Sequence, residues 1–330
     1  MTRSAFIIGG TGQIGIAAAA ELLRVGWSVT CSHTGRADPQ NVPPGGSLAV
    51  VKRQDTAALS TAIGNVDLLI DTIAFTSKDA DQLAGLSGQY RQLCVISSAS
   101  VYADEQGRSL ETAGTIGYPE FSGPIPESQP LVTPGPESYS SAKVAMEHRL
   151  VETATRPVTI LRPCAIHGIN SKHPREWWFV KRMLDGRKRI PLVFGQSTFH
   201  TSATANIAAL IRVAAETPTT QILNAGDPNS PSVRQIGETI AAHLGWTGEF
   251  IDMPPDSPVG ATPWSTPSPM IVSMEAAAAI GYRPAGSYAD TTLPYTEWMK
   301  SLAADWKTAF PTFGHYPSDP FDYAAEDAAL

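Results

Sequence analysis

Tyr139 and Lys143 stand four residues apart in the run YSSAK, inside a stretch whose pattern predicts a helix over 137–153. That spacing sets both side chains on one helical face. A tyrosine hydroxyl, with an ordinary pKa near ~10, is a poor base at neutral pH. A lysine ammonium one turn away favours the phenolate. Such a tyrosine can exchange a proton with a carbinol or carbonyl oxygen while a hydride leaves or joins the carbon that bears it. A serine-rich run, SSASVY at 97–102, follows a strand predicted at 92–96. A hydroxyl there can donate to the substrate oxygen as charge develops.

The hydride needs a carrier, and the start of the chain offers a place for one. Residues 9–15 read GGTGQIG, between a strand predicted at 5–8 and a helix predicted at 13–25. Gly10, Gly12 and Gly15 satisfy the dinucleotide fingerprint GxGxxG, and Gly9, Gly12 and Gly15 the wider GxxGxxG. Glycine permits the tight turn and lets backbone touch a pyrophosphate, while the helix N-terminus favours the anion. NAD-binding sites usually place an acid at the end of the second strand to hold the ribose 2′-hydroxyl. Here 31–36 reads CSHTGR, with no carboxylate before Asp38. Ser32, His33 and Arg36 can instead hold a 2′-phosphate, Arg36 most strongly. NADP(H) is therefore favoured over NAD(H).

The elements that must position these residues are legible as a pattern. Apolar runs at 5–8, 29–31, 48–51, 66–73, 92–96 and 158–161 predict strands, with helices at 13–25, 56–63, 79–86 and 137–153 between them. Such alternation implies an α/β fold, a Rossmann-type doubly wound parallel sheet, over 1–165. Beyond it, helices are predicted at 177–184, 206–215 and 232–244, within a smaller C-terminal α/β substrate-binding domain over 166–330. Elements near 201–225 are expected to join the sheet. The stretch 103–138 is rich in proline and glycine and lacks periodicity, which suggests a functional or mobile loop. A second proline-rich stretch, 254–269, also reads as loop. The tail from 311 carries Phe313, Tyr316, Phe321 and Tyr323 and is expected to pack on a surface, a second subunit's among the choices.

Composition narrows the function classes. The chain has 330 residues, 42% hydrophobic and 17% charged, with a net charge of −7. That suits a folded enzyme and speaks against general nucleic-acid or anionic-membrane binding. The basic run at 181–189, KRMLDGRKR, could meet an anionic substrate or simply form a solvated helix face. Cys31, Cys94 and Cys164 lack metal-ligand spacing, so buried thiols in a reducing cytoplasm are expected, with no metal. The run MTRSAFIIGGTG does not resemble an export signal, and no apolar stretch approaches the ~20 residues of a spanning helix. Neither HExxH nor GxSxG occurs.

Taken together, GGTGQIG at 9–15, SSASVY at 97–102, YSSAK at 139–143 and RPCAIHG at 162–168 resemble the extended short-chain dehydrogenase/reductase family, its epimerase/dehydratase group. The resemblance runs over nearly the whole chain. It implies Ser98, Tyr139 and Lys143 as the catalytic set, Lys143 also holding the nicotinamide ribose. It implies cofactor contacts from Gly9, Thr11, Gly12, Gln13, Ile14 and Gly15, from Ala74 and Phe75, and from the segment Pro163 to His167. Ser100, Tyr102, Trp177, Trp178 and His200 are candidates for the substrate pocket. The sequence departs from the family's pattern at Lys52–Arg53, where an adenine-contacting acid is usual, at His167, where an aromatic is usual, and near 196–199, where an arginine often grips a sugar diphosphate. The implied activity is hydride and proton transfer at a secondary alcohol or ketone of a small, sugar-like molecule, by a homodimer. The alternative is a catalytically idle NADP-sensing or RNA- or protein-binding member of the same fold.

Overall fold

The structure, a computed structural model, describes residues 2–35, 42–316 and 319–330. The chain opens with β1 (Ser4–Ile8) and α1 (Gln13–Arg24), then β2 (Ser28–His33), β3 (Ser47–Val50), α2 (Thr56–Ile63), β4 (Val66–Asp71), α3 (Ser77–Gly85) and β5 (Tyr90–Ile96). A short α4 (Ala113–Ile116) precedes α5 (Tyr139–Thr153), β6 (Val158–Pro163), β7 (Ala165–His167) and α6 (Trp177–Leu184). There follow β8 (Arg189–Val193), β9 (Thr201–Ala203), α7 (Thr204–Glu216), β10 (Gln221–Ala225), α8 (Val233–Leu244) and β11 (Glu249–Met253). After the irregular stretch 254–274 come α9 (Glu275–Ala279), α10 (Tyr288–Ser301), α11 (Trp306–Ala309) and α12 (Tyr323–Ala329).

Seven strands form one sheet in the order β10-β6-β5-β4-β1-β2-β3, and every neighbouring pair is parallel. This is the Rossmann-type doubly wound architecture. β10 adds an edge strand beyond the six that the apolar runs predict. Strand β4, VDLLID, is buried along almost its whole length because helices cover both faces. On one face α1 packs against α7, and on the other α3 packs against α5 with α2 beside them. Ala18 and Ala19 are fully buried, so the small side chains of α1 permit close packing. The strand order reverses between β1 and β4, which opens a crevice at the strands' carboxyl ends.

A second core lies around α6, α8 and α10, with the parallel pair β8–β11 at its side. The aromatic tail completes this core: Phe313 and Phe321 are buried in it, with Tyr316 and Tyr323 at its margin. The tail thus packs on α6 of its own chain, which accounts for its aromatics without a second subunit. The basic run 181–189 is largely consumed in ion pairs. Arg182 pairs with Glu326 at 2.6 Å, Lys181 with Asp185 at 2.6 Å, and Arg187 with Asp327. The 103–138 stretch has little regular structure yet is stitched down. Ala103 N donates to Pro130 O at 2.9 Å, Val132 N to Val101 O at 2.9 Å, and Ile125 N to Ile271 O at 2.7 Å. No described helix is long and apolar enough to cross a membrane.

Candidate active site

A cleft of about 1020 Å³ runs along the carboxyl ends of the sheet. One end is the glycine loop. Gly9 takes φ +76, a left-handed conformation, and a Cβ there would strike Thr72 Oγ1 at 2.5 Å. A Cβ on Gly15 would meet Gly10 Cα and Gly9 O, both at 2.6 Å, so this glycine is what lets α1 approach β1. Gly12 differs. Its only close neighbour is Gly9 O at 3.3 Å, so a side chain there would project into the space above the loop. Gly12 is also the N-cap of α1 and supplies no side chain to its free N–H groups. Those donors, an open cradle and a helix N-terminus suit a pyrophosphate. Three buried polar atoms on cleft-lining residues lack partners: Gln13 Oε1, His33 Nε2 and Ser97 Oγ. The residues present therefore fit a dinucleotide.

The loop after β4 forms the next wall. Asp71, fully buried, accepts from the backbone N–H of Ile73 at 2.9 Å and of Ala74 at 2.8 Å. Asp79 accepts from Phe75 N and Thr76 N, both at 2.8 Å. Arg53, in the turn after β3, pairs with both carboxylates and so staples the loop from behind. Burial works against ionising Asp79, but these donors and Arg53 hold its pKa below the usual range.

At the far end sit the hydroxyls. Ser98 Oγ lies 2.9 Å from Ser100 Oγ, and Ser140 Oγ donates to Ser100 at 2.8 Å. Tyr139 opens α5, whose N-cap Ser138 accepts from Ser141 N at 3.2 Å. The Tyr139 ring lies 5.4 Å from that of Phe75, tilted by 39°. Burial raises the Tyr139 pKa, opposed by Ser98's hydroxyl and by the charge of Arg175. Lys143 is buried one turn on. Its Nζ donates to Ala74 O at 2.7 Å and Ile96 O at 2.9 Å and lies 5.9 Å from the Tyr139 ring. Burial lowers its pKa to about 8, against the pull of Asp71 and Glu147.

No protein-family model matches the sequence, and no curated protein matches it. Solved structures do match. The UDP-glucose 4-epimerase of Thermotoga maritima, solved with UDP-glucose, superposes with a TM-score of 0.71 at 16% identity, covering 91% of this chain and 99% of the other. The dTDP-glucose 4,6-dehydratase of Bacillus anthracis, in complex with NAD, gives 0.69 at 17% identity, covering 93% and 100%. The Bordetella bronchiseptica enzyme WbmG, in complex with NAD and UDP, gives 0.68 at 18%, covering 91% and 94%. This chain has the epimerase/dehydratase fold. It is the fold that the sequence resemblance implies.

On the epimerase/dehydratase fold, the residues singled out in the sequence divide into two sets. Gly9, Thr11, Gly12, Gln13, Ser32, His33, Ser98, Ser100 and Tyr139 line the cleft. Ile14 and Gly15 lie beneath it as packing. Lys143, Ala74 and Phe75 shape its wall from behind, and Ile73 is the member of that loop that faces in. Arg36 lies outside the described residues.

The other set is turned away. Pro163 and His167 are buried, while Cys164 and Ile166 line the cleft, because alternate residues of an extended segment face opposite ways. His167 Nε2 bonds Asp227 at 2.9 Å deep in the fold. His200 is held by Asp227 O at 2.8 Å and Val272 N at 3.2 Å. Tyr102 donates to Asn224 at 2.6 Å and accepts from Arg162 at 3.1 Å, in a buried network with Glu147. Trp177 packs on Phe310, and Trp178 lies under the Arg182 guanidinium at 3.6 Å. These are structural side chains, not pocket walls. Missed in the sequence were Arg53, Glu111, Lys172, His173, Arg175 and Trp298, which line the cleft from irregular segments or a distant helix. Among the described residues, no group of three or more His, Cys, Asp or Glu could hold a metal.

Proposed function

We propose that this chain is an NAD(P)-dependent enzyme of the epimerase/dehydratase type. It transfers hydride and a proton at a secondary alcohol or ketone of a small molecule. The observation that carries the reading is the shared cleft: a bare glycine cradle at one end and the Ser98–Tyr139 hydroxyls at the other. Their union in one groove is what a hydride-and-proton transfer requires.

The dinucleotide, when bound, supplies or accepts the hydride. The chain does the rest. Gly12 and the α1 N-terminus hold the pyrophosphate. Ser98 donates to the carbinol or carbonyl oxygen, and Tyr139 exchanges that oxygen's proton. Lys143 keeps a positive charge one turn below and ties the β4 loop to the end of β5, which fixes the site's width. At the ribose of the adenosine half, β2 ends in His33, whose Nε2 lacks a partner, rather than in an acid. That donor set suits a 2′-phosphate, so NADP(H) is the preferred cofactor. The structural neighbours solved with NAD support a nicotinamide dinucleotide in general.

Tyr139→Phe tests the reading. Turnover with NADP(H) should fall by ~10²–10⁴-fold while cofactor affinity stays within about twofold. Unchanged turnover in that variant would remove Tyr139 from the chemistry.

A further inference from the structure

Arg175 is explained neither by the glycine cradle nor by the proton-transfer hydroxyls. It lines the same cleft as Tyr139, with Asn170, Ser171 and Lys172. The buried arginines among the described residues have carboxylate partners: Arg53 with Asp71, Arg162 with Glu147, Arg182 with Glu326. Among the described residues Arg175 has no ion pair and no side-chain hydrogen bond, although it is half-buried. Holding a partly desolvated guanidinium without a counter-charge is costly, and a ligand's anion would remove that cost.

Its position is fixed by its neighbours in sequence. Trp178 N donates to Arg175 O at 3.0 Å, and Trp177 N to Pro174 O at 2.9 Å. Glu176, fully buried, accepts from Tyr288 Oη at 3.2 Å. Thr312 Oγ1 donates to Lys172 O at 3.0 Å, and His173 bonds the Tyr316 hydroxyl at 2.9 Å. The guanidinium therefore stands on a braced loop between two aromatic anchors and the tail. Such pre-organisation lowers the entropic cost of gripping a ligand.

The other ionisable groups nearby do not answer it. Glu111 lines the same cleft, but its Oε1 accepts Ser140 N at 2.9 Å in the first turn of α5. His173 is held down to about 4 by burial and by Arg175 itself, so it stays neutral. Lys172 is exposed at the rim. The charge of Arg175 opposes the burial that raises the Tyr139 pKa, as a cation in the same cleft should.

We propose that Arg175 grips an oxyanion on the substrate, so that the substrate is an acid with a carboxylate or phosphate close to its secondary alcohol or ketone. A guanidinium matches either group with two parallel N–H donors. The proposal builds on the catalytic reading of Tyr139, but its test stands apart from it. Malonate and inorganic phosphate are titrated calorimetrically into the full chain, with and without NADP, for the wild type, Arg175→Gln and Arg175→Lys. One anion should bind the wild type, bind at least ~10-fold more weakly to R175Q, and regain part of the loss in R175K. Preference for malonate assigns a carboxylate, and preference for phosphate a phosphate ester. Failure of both anions to bind, or equal binding to R175Q, overturns the proposal. Arg175-dependent binding without Tyr139-dependent turnover would keep it and overturn the catalytic reading instead.

Discussion

Two buried ionic centres, Lys143 and the His167–Asp227 pair, behave differently. Lys143 is desolvated, with its pKa lowered to about 8, yet its ammonium is spent on two carbonyls that set the loop geometry. His167 is a scaffold residue. Burial alone would lower its pKa, but the Asp227 carboxylate, with Glu176 beyond, raises it. Asp227 in turn is held well below the usual carboxylate range, because His167 and its N–H and O–H donors outweigh burial. The sign follows from both. The Asp227 contribution is present above the unfolded value near ~3.9 and is lost as pH falls through the depressed one. The His167 contribution is full below ~6.5 and fades as pH rises through the raised value. Asp227→Asn should therefore cost about 3 kcal/mol at pH 6 and less at pH 9, read from urea unfolding at both. An equal cost at both values would exclude the charged pair. At this scale, Tyr139 and Ser98 reach the cleft for reasons visible in sequence, since each sits where a strand or loop hands over to a helical turn. His167 also lies in a segment beside the cleft, but the parity of an extended chain turns it inward.

At the scale of elements, the strand–glycine–helix start was legible because its constraints are local. The two glycines nevertheless do different work, which a variant pair separates. In Gly12→Ala the new methyl meets only Gly9 O, and φ −81 suits any residue. Stability should change by less than ~0.5 kcal/mol while cofactor affinity falls ~10-fold or more. In Gly15→Ala the methyl collides with backbone of Gly9 and Gly10, so stability should fall by ~1–3 kcal/mol. Thermal unfolding beside NADPH titration checks both, and identical profiles for the pair would contradict this division. The staple behind the β4 loop was not legible. Arg53 stands where the resemblance leads one to expect an acid, and only three-dimensional proximity reveals Asp71 and Asp79 as its partners. The edge strand β10 falls within the 201–225 stretch expected to join the sheet, but its strand character was not legible, its QILNA run being short and interrupted by a polar residue.

Across the whole molecule, the doubly wound sheet follows from alternating apolar runs, but the second core does not. It is assembled from aromatics scattered between Trp177 and Phe321, with no period to betray them. Its closure depends on α12, where Glu326 meets Arg182 in a fully buried pair. Glu326→Gln leaves that guanidinium uncompensated and should cost ~3–5 kcal/mol, whereas a change at exposed Asp322 on the same tail should cost far less. Equal effects of the two in denaturant unfolding would show that the tail is not part of the core. Because Tyr316 and Thr312 brace the loop that carries Arg175, the same tail joins stability to the substrate end of the cleft. The proposed chemistry needs one cleft to take a nicotinamide dinucleotide between Gly12 and Tyr139. The most direct test is a fluorescence titration of the purified chain with NADPH and NADH in parallel. Saturable binding of both, with NADPH at least ~10-fold tighter and the signal lost in Gly12→Ala, is the expected result. Absence of binding by either would contradict the account, and tighter NADH would keep the cleft but reverse the reading of His33.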